Sequence, residues 1–132
     1  MIKEVKFRFE DLNVYKKALD FVDMVYRVSE NFPNVERYGL SSQFCRASVS
    51  IALNIAEGSS DTNKQFSRFL QIALDSVNEC VVCATVAERQ GYISEEINNQ
   101  LRVKLAELSK MITGLQKYLR NKKELKPKTL KS

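Results

Sequence analysis

"CVVCATVA", residues 80–87, is the stretch on which the fold turns. It is apolar almost all round and rich in β-branched residues, so read alone it suits a buried strand. The longer pattern decides otherwise. Phe66, Phe69, Leu70, Ala73, Val77, Cys80, Val81 and Ala84 form one stripe that runs through it without a change of phase. That predicts a single helix over about 62–90. Thr62 followed by Gln65 fits a capping box at its start, and Gly91 stops it.

Working outward, Leu101, Leu105, Leu108, Ile112, Leu115 and Leu119 alternate spacings of four and three, predicting a helix over about 94–122 with Ser94 as N-cap. Upstream, a helix is expected over about 40–57, capped by Ser41 or Ser42 and ended by Gly58 as a left-handed cap residue. The first helix is expected over about 11–31, with Leu12, Tyr15, Ala18, Leu19, Val22, Val25, Tyr26 and Ser29 on one face. "NFPNVERYG" breaks the chain between these two helices. Four helices with short loops predict an all-α fold, an antiparallel up-and-down four-helix bundle, over residues 1–122. Residues 123–132 read as a flexible basic tail.

Length and composition fit one globular domain. No run approaches the 18 or so apolar residues of a membrane span, and "MIKEVKFRFEDL" has no signal core. Three cysteines fit no disulfide framework. The expectation is a cytoplasmic protein without membrane contact. The formal net charge is +5, but it is unevenly placed. Residues 117–132 carry seven Lys or Arg and one Glu, whereas the 116 residues before them carry 14 basic and 15 acidic side chains. Such a basic end attracts phosphates without sequence preference; its plainer reading is a solvated helix end.

The second helix has more apolar surface than a bundle needs. Phe44, Ala47, Ser48, Ile51 and Ile55 can serve the core, while Cys45, Val49, Ala52, Leu53 and Ala56 form an adjoining apolar face. Only Gln43, Arg46, Ser50, Asn54 and Glu57 remain, in a polar stripe of roughly 80°. The third helix repeats the excess with Val82 and Val86. Surfaces of this kind mark protein contacts. A homo-oligomer is therefore expected, with Cys45, Val49, Leu53, Ala56, Val82 and Val86 as interface candidates.

Chemistry is scarce. The chain has no histidine, which excludes Ser-His-Asp and Cys-His nucleophilic sites and His-ligated metals. Cys80-x-x-Cys83 lies mid-helix in an apolar run and reads as two small buried hydrophobes. Asp75 and Glu79 share a polar face with Arg68 and read as solvated. There is no P-loop and no GxGxxG motif. Neither an enzyme, a cofactor nor a metal is expected. The polar stripe has two readings. In one, Arg46 and Glu57 form ion pairs and Ser50 and Asn54 bridge helices, fixing register or subunit docking. In the other, Gln43, Arg46 and Asn54 line a groove for a ligand. The structural reading is favoured.

Residues 9–58, "FEDLNVYKKALDFVDMVYRVSENFPNVERYGLSSQFCRASVSIALNIAEG", carry motifs at Phe9–Ala18, Phe32–Leu40 and Gln43–Gly58. With "FSRFLQIALDSVNECVV" after them, they resemble the bacterial four-helix-bundle family of 23S rRNA intervening-sequence proteins over residues 9–119. Departures are modest: Cys45 stands where the family often has Arg or Lys, Asp75 replaces a common Gly and Cys80 a common Leu. The resemblance implies a four-helix bundle assembled as a homopentamer around a central channel, and makes Gln43, Arg46, Ser50, Asn54, Glu57 and Gly58 a signature of assembly. A related branch, the accessory variability proteins of diversity-generating retroelements, partners a reverse transcriptase and binds nucleic acid. The expected function is a non-enzymatic accessory or scaffold protein associated with RNA or DNA. Arg46, Lys117, Arg120, Lys122, Lys123, Lys126 and Lys128 are the candidate phosphate contacts. The alternative is a protein-interaction assembly without nucleic-acid affinity.

Overall fold

The computed structural model describes residues 3–122. A 3-10 turn (Arg8–Asp11) leads into α1 (Asn13–Ser29); a second (Asn34–Glu36) precedes α2 (Leu40–Ser59). α3 (Asn63–Arg89) and α4 (Glu95–Asn121) complete the described elements. Consecutive helices pack side by side, and α1 closes the ring against α4. This is the expected up-and-down bundle. The tail over 123–132 lies outside the described residues.

The stretch 80–87 is helical, in the middle of α3's second half. Its phase explains this. Cys80, Cys83, Ala84 and Ala87 continue the buried row begun by Phe66, Leu70, Ala73 and Val77. By length and composition α3 resembles a membrane span. Here that row faces the bundle core, against Phe21, Phe44, Ile51, Ile55, Leu101, Leu105, Leu108 and Ile112, all sealed from solvent. Burying each such side chain contributes about 1.5–3 kcal/mol.

The caps at the two long helices are as expected. Thr62 Oγ1 accepts from Gln65 N–H at 3.2 Å and Ser94 Oγ from Ile97 N–H at 3.1 Å. Gly91 has φ +79°, and two 2.9 Å bonds, Tyr92 N–H to Ala87 O and Gly91 N–H to Glu88 O, close a Schellman motif there.

Three local expectations are corrected. α1 is rotated from its expected face: Val14, Ala18, Phe21 and Val25 are buried, while Leu19 and Tyr26 are exposed. Two neighbouring stripes share the same spacing, and the one containing the large Phe21 fills the core. α2 begins at Leu40, before Ser41 and Ser42, and no side chain at its N-cap, Gly39, binds it. Glu36 does so instead, its Oε1 accepting from Leu40 N–H at 2.9 Å. Gly58 does not end α2 in a left-handed conformation; it lies inside the helix and is buried. A Cβ there would stand 2.7 Å from Phe69 Cβ and 2.9 Å from Phe66 Cδ1, so close α2–α3 packing requires the glycine.

Candidate nucleic-acid interface

The polar stripe of α2 separates into two parts. Ser50 and Asn54 are partly buried; Gln43, Arg46 and Glu57 are exposed. Ser76 of α3 donates to Ser50 Oγ at 2.9 Å, an inter-helix bond. Asn54 bonds within its own helix, donating to Ser50 O at 2.8 Å and Ser50 Oγ at 3.1 Å. One bridge of the expected structural role is therefore present. The expected ion pairs are not: among the described residues the salt bridges within the chain are Lys6–Asp11 and Lys17–Glu107. No groove forms around Gln43, Arg46 and Asn54 among the cavities described.

The cysteines are placed as small hydrophobes. Cys80 and Cys83 are buried, and burial first, then the neighbouring negative charges, pushes their thiols up, Cys83 to about 11. Raised thiols are poor nucleophiles and poor metal ligands at neutral pH. Asp75 and Glu79 are exposed, and Asp75 accepts from Gln71 Nε2 at 3.2 Å. No cluster of three metal-ligating side chains occurs among the described residues.

Four cationic side chains gather at the bundle end where α3 begins and α4 finishes. A cleft of about 410 Å³ opens there, lined by Asn63, Lys64, Ser67, Arg68, Leu119, Arg120 and Lys122. Among the described residues that line it, four of the seven are cationic and none is a carboxylate. The antiparallel packing of α3 and α4 creates it. Gln116, buried beside it, fixes the approach by donating to Ser67 O at 3.2 Å. The cations of α4 sit where the helix dipole favours them; those of α3 do not. α3 has no acidic residue in its first turn, and Lys64 stands in that turn, at its positive end, with Arg68 one turn further on. Cations at a helix N-terminus cost about 0.3–1 kcal/mol each at exposed positions. The same arrangement adds the α3 N-terminus to the four side chains as a positive field.

Of the seven sequence-predicted phosphate contacts, the cleft gathers Arg120 and Lys122. Lys117 is exposed in the same end of α4 but outside the lining. Arg46 lies apart, 12 residues before Gly58 on α2, or about 18 Å along the helix axis from the end that adjoins the cleft. Lys123, Lys126 and Lys128 lie outside the described residues. Sequence reasoning missed Lys64 and Arg68. The available signal was Lys64 in the first turn of α3, where the dipole asks for acids, with Arg68 four residues on along the same face.

The interface candidates divide as well. Val49, Leu53, Val82 and Val86 are exposed on the single chain, Leu53 at 51% and Val82 at 61%; Cys45 and Ala56 are partly buried. Exposed Leu19 and Tyr26 of α1 and Ile72 of α3 extend the apolar surface.

Comparison with known proteins adds two findings. The family model of the 23S rRNA-intervening sequence protein matches residues 10–114. A crystal structure of a protein with unknown function from the S23 ribosomal protein family of Bacteroides thetaiotaomicron superposes with TM-score 0.73 at 25% identity, covering 79% of this chain and 98% of the other. Curated proteins gave no match.

Proposed function

Starting from the 23S rRNA-intervening sequence protein family, to which this chain belongs, we propose a non-enzymatic, oligomeric accessory protein that associates with nucleic acid through its basic bundle end. The observation that carries the reading is the cleft itself, where Lys64, Arg68, Arg120 and Lys122 converge. A polyanion is the partner that such a field suits, because each neutralised phosphate releases a counterion. Non-specific binding of micromolar or weaker affinity at physiological salt is the expected scale. The exposed Val49, Leu53, Val82 and Val86 support assembly with further copies, which would repeat the basic end several times and raise avidity.

A second reading is favoured by those same apolar residues: a protein-interaction assembly with no affinity for RNA or DNA. A titration of the full chain, and of a chain ending at Lys122, against structured RNA and duplex DNA at two salt concentrations separates the two. Phosphate-driven binding weakens steeply with salt, and loss of the basic tail lowers the slope. Absence of binding at low salt leaves the assembly reading.

A further inference from the structure

The basic cleft has an aromatic neighbour, and it narrows the nucleic acid the cleft suits. Tyr118, on the turn of α4 that ends at the cleft, is 57% exposed. Lys122 Nζ lies 5.5 Å from the centroid of its ring, so one lysine belongs both to the cleft and to the tyrosine face. Phe7, at the same end of the bundle but in a separate cavity against α2 that Asp61 also lines, is 63% exposed and lies parallel to Phe9, ring centroids 6.1 Å apart and 8° from coplanar. Phe9 is in turn held edge-on by Tyr15 of α1, centroids 5.1 Å apart. Burial does not explain either outward ring.

We infer that this end binds single-stranded nucleic acid, with phosphates in the Lys64–Arg68–Arg120–Lys122 cleft and an unpaired base stacked on Tyr118. The inference rests on the nucleic-acid reading proposed above and specifies its substrate class. Flat rings beside a cationic groove are the general solution for holding unpaired strands, since every base has a π-face and a groove follows the backbone. A duplex hides those faces in its own stack. It can offer the cleft its phosphates, but it leaves Tyr118 unused. Nothing in the arrangement reads base edges, so the binding is indifferent to sequence and to the choice between RNA and DNA.

The test uses the full chain and a fluorescently labelled, unstructured 15-nucleotide RNA, its DNA counterpart and the matching duplex, at one low salt concentration. The single strands are expected to bind on the order of tenfold more tightly than the duplex. Tyr118→Ala should weaken single-strand binding by about fivefold or more and duplex binding by clearly less, while Tyr118→Phe retains both. The chain has no tryptophan, so Tyr118→Trp provides a single reporter whose emission the single strand quenches and the duplex does not. Equal or tighter binding of the duplex, or no effect of Tyr118→Ala, overturns the inference and leaves the nucleic-acid reading standing. Binding of none of the probes overturns both.

Discussion

The carboxylate of Glu36 joins the two connections at one end of the bundle. Its Oε1 accepts from Leu40 N–H at 2.9 Å, starting α2, and its Oε2 accepts from the hydroxyl of Tyr92 at 2.9 Å, in the turn between α3 and α4. Phe32 packs against the same tyrosine, ring centroids 5.4 Å apart. Glu36→Ala removes a helix cap and the tie together. A loss of roughly 1–2 kcal/mol is expected from urea unfolding. Tyr92→Phe keeps the ring and the cap, and should lower the midpoint less.

Alkaline pH should loosen the fold through the same tyrosine and the buried thiols. The hydrogen bond to Glu36 raises the Tyr92 phenol, with burial and the carboxylate's charge adding to it. Burial raises Cys80 and Cys83. A group raised in the folded state stabilises fully below its unfolded pKa and loses that contribution as pH climbs to the folded value. Thiols of the unfolded chain ionise near 9.0, and Cys83 in the fold near 11. The urea midpoint should therefore fall from about pH 9 upward. A flat profile to pH 10.5 would contradict the assignment.

Two glycines should respond in opposite directions. Gly58→Ala sets a methyl against Phe69 and Phe66 at under 3 Å, and a cost of about 1–3 kcal/mol is expected. Gly114, inside α4, has open space where its Cβ would stand. Gly114→Ala should gain about 0.5–1 kcal/mol, because alanine gives up less backbone entropy in a helix. Chemical denaturation of the two variants against the parent protein measures both.

Sedimentation checks the assembly. The full chain should run well above 15.2 kDa at micromolar concentration. Leu53→Lys should return it to monomer with its helical circular dichroism intact, since Leu53 lies half in solvent on the single chain. A parent chain of monomer mass would remove the oligomer from the account.

Much of this molecule is legible from residue spacing. The four helices, the caps at Thr62 and Ser94 and the stop at Gly91 follow from periodicity and turn chemistry. What escaped depends on tertiary neighbours. Gly58 looked like a terminator, but its lack of a side chain serves the approach of Phe66 and Phe69. Ser41 and Ser42 are good caps by type, yet Glu36 from outside the helix takes the role. The rotation of α1 was ambiguous because two adjacent stripes share one spacing. The basic cleft was half visible. Arg120 and Lys122 stood out in a basic run, while Lys64 and Arg68, some 50 residues upstream, join them only when α3 and α4 pack antiparallel.

The central claim is that the α3–α4 end, and not the polar stripe of α2, carries the affinity for nucleic acid. The direct measurement is the RNA affinity and its salt slope for Arg68→Glu/Arg120→Glu beside Arg46→Glu. An unchanged helical circular dichroism of the double variant separates weakened binding from a folding defect. A loss of about tenfold or more and a shallower salt slope are expected for the double variant. Arg46→Glu should leave both unchanged. Unaltered binding by the double variant, or a larger loss from Arg46→Glu, would contradict the claim.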